Sequence, residues 1–145
     1  MDYNAAFQIS ASGMALEKMR LDVTAANIAN MNTAAASAGQ VYQPLRVQSR
    51  PVALSFSQQF GQLMALQGGG VEITGVEAQP VPARMVYEPG NVYADAKGFV
   101  AYPGVDHTAE MLALNNALRA YDANVAAMSA AKAMAARALD IGGRE

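Results

Sequence analysis

Phe7-Gln8-Ile9-Ser10-Ala11-Ser12-Gly13-Met14-Ala15-Leu16-Glu17-Lys18-Met19-Arg20-Leu21-Asp22-Val23-Thr24-Ala25-Ala26-Asn27-Ile28 carries its large apolar residues in two rows. Phe7, Met14, Leu21 and Ile28 recur at heptad spacing and so share one face of a helix. Ile9, Leu16, Met19 and Val23 form a second seam on the opposite face. With Ile9, Leu16 and Val23 at heptad position a, position d falls on Ser12, Met19 and Ala26, a weak but usable coiled-coil seam. The first row then falls on position f, which a two-stranded coil turns to water. A helix that is apolar on two opposite faces cannot bury both against one partner. Burial of each f-row side chain contributes about 1.5 to 3 kcal/mol, less the ordering cost of the helix. The balance favours a helix contacted on several sides, and hence an assembly subunit. A helix sandwiched inside a larger single-chain core is the plainer alternative for this segment taken alone.

At the other end, Met111, Leu114, Leu118, Tyr121, Val125 and Met128 follow a three-four spacing that continues more weakly through Lys132, Ala135 and Leu139. Twelve of the 29 positions from Met111 to Leu139 are alanine, which favours helix and leaves little bulk between packed axes. Thr108 or Asp106 can cap this helix, Glu110 suits its first turn, and Gly142-Gly143 supplies a stop. From Thr108 to Ile141 it would be about 50 Å long.

All six prolines of the 145-residue chain lie between these stretches, so the order is helix, irregular or β-rich centre, helix. Gln40 to Val47 and Pro51 to Phe56 read as strands, with Pro44 and Pro51 suggesting edge positions. Ser57 to Leu66 reads as a short helix ended by Gly68-Gly69-Gly70, and Val71 to Val76 alternates like a half-buried strand. Ala83 to Glu88 and Gly98 to Tyr102 are further extended pieces, with a turn at Pro89-Gly90. Such a centre is marginal without helices or a neighbour covering one face.

Net charge is -2 and no basic cluster exceeds two residues, which makes nucleic acid a poor partner. The absence of cysteine excludes disulfides and thiolate metal sites. No apolar run is long enough to span a bilayer, and Met1-Asp2-Tyr3-Asn4 lacks the start of a cleavable signal peptide. His107, the single histidine, stands beside Asp106 at a helix start, where capping is commoner than acid-base work. Gly68-Gly69-Gly70 lacks the Lys-Ser/Thr of a P-loop and reads as a flexible turn. Asp95 with Lys97, and Arg84 with Glu88, read as surface charge or intersubunit pairs. The nine methionines sit largely at seam positions, as fillers of irregular gaps. No catalytic residue, cofactor or metal is expected.

Ala26-Asn27-Ile28-Ala29-Asn30-Met31-Asn32-Thr33, closing the first helix, resembles the signature of bacterial flagellar axial proteins. Its asparagines and Thr33 can hydrogen-bond local backbone and so end a helix, a role that a plain helix terminus would also explain. More specific are Tyr87-Glu88-Pro89-Gly90, then Asp95-Ala96-Lys97-Gly98-Phe99-Val100-Ala101-Tyr102-Pro103, then Glu110-Met111 and Tyr121-Asp122-Ala123-Asn124-Val125. These resemble the carboxy-terminal half of the FlgC-type family of proximal rod proteins of the flagellar basal body. The distal rod and hook versions usually follow the Asn-Thr with glycine, whereas here Thr33 is followed by Ala34-Ala35-Ala36.

The expected fold is α+β, with two long terminal helices in an antiparallel coiled-coil pair and a small β-rich central domain. Residues 1–35 would form the first helix with its signature Asn27, Asn30, Asn32 and Thr33, residues 36–104 the central domain, and residues 105–145 the second helix. The helix-pair seam would join Ile9, Leu16, Met19 and Val23 to Met111, Leu114, Leu118, Tyr121, Val125 and Met128, leaving Phe7, Met14, Leu21 and Ile28 for neighbouring subunits. The resemblance implies a structural subunit of the periplasm-spanning rod, which transmits torque and encloses an export channel. It implies as partners other copies, other rod proteins, the basal-body ring, the distal rod and the flagellar export apparatus, with type III export in place of a cleaved signal. The alternatives are another rod component, a non-flagellar helical interaction module, and a small enzyme using His107.

Overall fold

The computed structural model describes residues 3–52 and 69–142. Their order is helix α1 (Tyr3–Asn30), a 3-10 turn (Ala38–Gln40), strands β1 (Leu45–Pro51), β2 (Val71–Ala78), β3 (Arg84–Tyr87) and β4 (Phe99–Tyr102), and helix α2 (His107–Gly142). No described helix is long and apolar enough to cross a membrane.

The helix ends follow from local chemistry. At the end of α1, Asn30 Nδ2 donates to Ala26 O at 2.8 Å, and the Thr33 N–H reaches Asn30 O at 3.1 Å. The asparagine side chain thus takes a backbone acceptor and the chain turns off the helix axis. At the start of α2, Asp106 Oδ1 accepts from the N–H groups of Thr108 at 2.9 Å and Ala109 at 3.3 Å. Of the two caps considered, Asp106 does the capping and Thr108 lies within the first turn, because the aspartate satisfies two donors that have no intrahelical acceptor.

The centre holds two two-stranded sheets, β1 with β2 and β3 with β4. β1 and β2 run antiparallel: Val52 N–H donates to Gly70 O at 3.1 Å beyond one end, and Gln79 N–H to Pro44 O at 2.8 Å beyond the other. The strand expected over 40–47 begins only at Leu45, since Gln40 closes the 3-10 turn, and runs to Pro51, while the strand expected over 51–56 lies mostly outside the described residues. The prolines explain the limits, for neither Pro44 nor Pro51 has an N–H to give a ladder. The helix expected over 57–66 lies outside the described residues. β2 alternates half-buried Val71 and Ile73 with exposed Glu72 and Thr74, as its sequence predicts. In the second sheet Arg84 faces Tyr102 and Tyr87 faces Phe99 in an antiparallel ladder. Its loop is shaped by Asp95, whose carboxylate accepts from the N–H groups of Lys97 at 2.8 Å and Phe99 at 2.9 Å. Gly98 there has φ +82, and a Cβ on it would stand 2.8 Å from Tyr87 Cε2, so glycine is needed on both counts.

The chain divides into two compact units, each drawing on both helices. One takes the described residues within 1–19, 48–75 and 117–145, and buries Ser10, Leu16, Glu17, Ala117 and Ala131. The other takes 20–47 and 76–116, and buries Val23, Thr24, Asn27, Val41, Val100, Ala101, Pro103 and Glu110. In the second, Ala35 N–H donates to Ala101 O at 2.9 Å, tying the segment after α1 to β4.

Candidate assembly site

Asn27 is fully buried and every hydrogen-bonding position of its side chain is filled. Its Nδ2 donates to Leu45 O at 3.0 Å and to Glu110 Oε2 at 3.1 Å. Its Oδ1 accepts from Leu45 N–H at 2.8 Å and from the Tyr42 hydroxyl at 2.9 Å. A carboxamide has two donors and two acceptor sites, so this is its whole capacity. The pair of bonds to the Leu45 backbone copies what a neighbouring strand would offer, and so fixes the start of β1 against α1. Glu110, 2% exposed, holds Asn27 through one oxygen and the Arg46 guanidinium through the other. That hydrogen bond raises the Arg46 pKa above its usual value, against the lowering effect of burial. Burial, with a smaller contribution from the Glu110 charge, pushes the Tyr42 hydroxyl up, which keeps it a donor to Asn27.

Beside this cluster is a recess of about 290 Å³ lined by Arg20, Val23, Thr24, Arg46, Val47 and Ala113. Its floor is contributed by α1, β1 and the first turns of α2, all within the same unit.

The other unit is joined by close approach. A Cβ on Gly13 would lie 2.6 Å from Asn124 Oδ1, while Asn124 Nδ2 is committed to Ala120 O at 2.8 Å. Ser12 Oγ donates to Ile9 O at 2.8 Å and accepts from Val71 N–H at 3.2 Å. Gly70, at φ +122, passes so near that a Cβ would stand 2.6 Å from Ser12 Oγ, and one on Gly69 would stand 3.1 Å from Ile9 Cδ1. The described glycines of the triplet are therefore the means by which the chain meets α1 closely, where the sequence suggested only a flexible turn.

Among the described residues the buried polar side chains are Ser10, Glu17, Thr24, Asn27 and Glu110, every one of them on a helix. Ser10, Glu17 and Thr24 repeat at heptad spacing along α1. On α2 the corresponding row is Glu110, Ala117, Asn124 and Ala131, with Asn124 half-buried and the rest buried. The inward surface of α2 is thus small and polar, whereas that of α1 also carries Leu16 and Val23.

Around these rows lie the residues singled out from spacing. Leu16 and Val23 are buried, Met19 is half-buried and Ile9 is exposed. Leu114, Tyr121 and Met128 are half-buried, whereas Met111, Leu118 and Val125 are exposed, each one position past a member of the inward row of α2. Phe7, Met14, Leu21 and Ile28 are all half-buried. Of the signature, Asn27 is the centre of the polar cluster, Asn30 back-bonds within α1, and Asn32 and Thr33 are exposed. His107 is exposed in the first turn of α2. Tyr42 was not legible as a partner of Asn27, nor Arg46 as a partner of Glu110; the one available signal was an acid, Glu110, standing seven residues before an alanine in a helix otherwise rich in alanine.

The family described as "Flagella basal body rod protein" matches residues 7–36, and that described as "Flagellar basal body rod FlgEFG protein C-terminal" matches residues 96–141. The chain is similar to the flagellar basal-body rod protein FlgC of Yersinia enterocolitica, with 35% identity covering 94% of this chain and 95% of the relative. It is 35% identical to that of Bacillus subtilis, over 92% of this chain and 94% of the relative. The protein of the same description from Borreliella burgdorferi is 28% identical over 94% and 95% of the two chains.

Proposed function

The chain belongs to the FlgC family of flagellar basal-body rod proteins and is a structural subunit of that rod, and we propose that it works there by presenting the large apolar rows of its two helices to neighbouring subunits. One observation carries this reading: α2 turns small and polar residues inward and keeps much of its apolar bulk outside. Leu118 is 44% and Leu139 77% exposed, while Glu110 and Asn27 are at 2% and 0%. A surface helix of a soluble globular protein has the opposite distribution. Exposed rows of this kind gain about 25 cal/mol for each Å² of apolar surface that a neighbour removes from water.

In this reading Phe7, Met14, Leu21 and Ile28 meet other subunits, and α1 and α2 pair antiparallel along their small-residue rows. Support for the pairing comes from two contacts, Gly13 with Asn124 and Asn27 with Glu110. From Gly13 to Asn27 and from Asn124 back to Glu110 are both two heptads, as two antiparallel helices of equal rise require. Repeated contacts that do not close into a ring build a tube, and a tube transmits torque through its packed side chains and leaves a channel along its axis. The work is mechanical, and its partners are other copies, other proximal rod proteins, the basal-body ring and the distal rod. Export through the flagellar type III apparatus completes the proposal.

Leu21→Asp tests it, because a carboxylate in an apolar contact loses hydration without gaining a partner. The variant is expected to be made and exported normally but to be missing from purified basal bodies, with motility lost. A motile strain with a normal rod would mean that the outer row of α1 is not an interface.

A further inference from the structure

The two edges of the β3–β4 sheet are unlike. Glu88 N–H donates to Gly98 O at 2.8 Å, and in the register of the ladder this makes Arg84, Val86 and Glu88 the residues that bond inward to β4. Phe99 and Ala101 therefore bond away from β3, and their edge is occupied: Asp95 N–H donates to Phe99 O at 2.8 Å, Phe99 N–H to Asp95 Oδ1 at 2.9 Å, and Ala35 N–H to Ala101 O at 2.9 Å. The outward backbone groups of β3 belong to Met85 and Tyr87, and among the described residues no group bonds to them. Their side chains are 49% and 63% exposed. A bare edge flanked by apolar side chains is a template for a further strand.

We propose that this edge takes β3 of a second copy of the chain, paired antiparallel about a two-fold axis at Val86. Arg84-Met85-Val86-Tyr87-Glu88 is complementary to its own reverse. In that register Met85 of each copy lies opposite Tyr87 of the other, where each pair exchanges two backbone hydrogen bonds and sets a thioether beside an aromatic ring. Arg84 of each copy lies opposite Glu88 of the other, so both ends of the pairing join opposite charges. Within its own chain Arg84 is engaged by its face, over the Tyr102 ring at 5.6 Å, and its charge acts on Glu88. A planar guanidinium stacked in this way keeps its edge donors. The bonds that Glu88 accepts from Asn91 and the Tyr102 hydroxyl both go to Oε2, which leaves Oε1 for the second copy. A slip of two residues in either direction parts Arg84 from Glu88, and Pro89 has no N–H with which to lengthen the ladder. A two-fold contact closes on itself, whereas a rod needs contacts that continue. The pairing therefore belongs to the free subunit and covers its β3 edge until the rod is built.

The test is made on the purified full-length chain. Sedimentation at rising concentration is expected to show a monomer passing to a dimer. Because the chain has no cysteine, Val86→Cys places a single thiol opposite its own symmetry mate, in a non-hydrogen-bonded pair with Cα atoms about 4.5 Å apart, which a disulfide can span. Mild oxidation should link Val86→Cys into a dimer at least tenfold faster than Met85→Cys or Tyr87→Cys, whose thiols do not stand opposite each other in this register. Met85→Pro removes an outward N–H and leaves β3 its bonds to β4, and in the Val86→Cys chain it is expected to slow the linkage at least tenfold. Equal rates at the three cysteine positions overturn the register, and a rate that Met85→Pro leaves unchanged overturns the edge pairing. A chain that stays monomeric up to millimolar concentration overturns the dimer itself, and a linked Val86→Cys dimer inside assembled basal bodies overturns its assignment to the free subunit. Membership of the rod is read separately, from the presence of the wild-type chain in purified basal bodies, and none of these outcomes alters it.

Discussion

Two helix contacts in this protein solve the same problem by different means. Around Asn27 the contact is made by directional bonds: one carboxamide, one buried carboxylate and one guanidinium connect α1, β1 and α2. Around Gly13 it is made by the absence of a side chain, which lets Asn124 fill the space a Cβ would occupy. The first arrangement tolerates almost no change of chemistry, because every donor and acceptor removed leaves another buried one without a partner. The second tolerates chemistry but not volume.

The largest effect should come from the polar contact. Asn27→Leu strands the Leu45 N–H and carbonyl, the Tyr42 hydroxyl and one oxygen of Glu110, and is expected to destabilise the protein by about 3 to 5 kcal/mol in urea unfolding. If the loss were under about 1 kcal/mol, the cluster would be incidental to stability. Glu110→Ala should cost less, about 2 to 3 kcal/mol, because the Arg46 side chain it abandons can turn toward water. A cycle with Arg46→Ala would isolate that pair, and a coupling near zero would show that Glu110 acts through Asn27 alone.

The steric contact should respond more mildly. Gly13→Ala gains about 1 kcal/mol of helix propensity, and overpacking against Asn124 removes about 1 to 3 kcal/mol, so a net loss of about 1 kcal/mol is expected in thermal unfolding. In an Asn124→Ala background the same change should become stabilising. If both backgrounds gain equally, Gly13 is not a close-approach position.

The smallest effect belongs to the β3–β4 loop, where charge is exposed. Hydrogen bonds from Asn91 and Tyr102 hold the Glu88 carboxyl below its usual pKa of 4.5. The folded pKa is the lower one, so the contribution is complete above the unfolded pKa and fades as pH falls through the folded value. The same bond raises the Tyr102 pKa above 10, a contribution complete below that value and lost as pH rises through the folded pKa. Glu88→Gln should therefore flatten both the acid limb and the strongly alkaline limb of stability against pH, and unchanged limbs would exclude this bond as their source.

The sequence was legible where a signal is local. Heptad spacing located both helices, Asp106 was a recognisable cap, and the alternation from Val71 marked β2. It was also legible where a long signature could be matched, since the stretches around Asn27 and from Tyr87 to Pro103 pointed to the rod family before any geometry was known. The limits of β1 were less visible, because they depend on prolines that spacing alone reads as edges.

What the sequence by itself determined, then, is the order of elements, the chemistry available at each position and the family. Only the tertiary structure decided which row of each helix turns inward. Spacing favours the rows with the largest apolar residues, since hydrophobic burial is proportional to area. On α1 the structure buries Leu16 and Val23 of its apolar seam together with Ser10, Glu17, Thr24 and Asn27, whereas on α2 it buries Glu110, Ala117 and Ala131 and leaves Leu118 and Leu139 outside. Small residues permit close packing, and a buried carboxamide or carboxylate is acceptable once its partners arrive from distant segments, Tyr42, Leu45 and Arg46. The bonded groups of this cluster are 15 to 83 residues apart along the chain, so no local pattern could announce them.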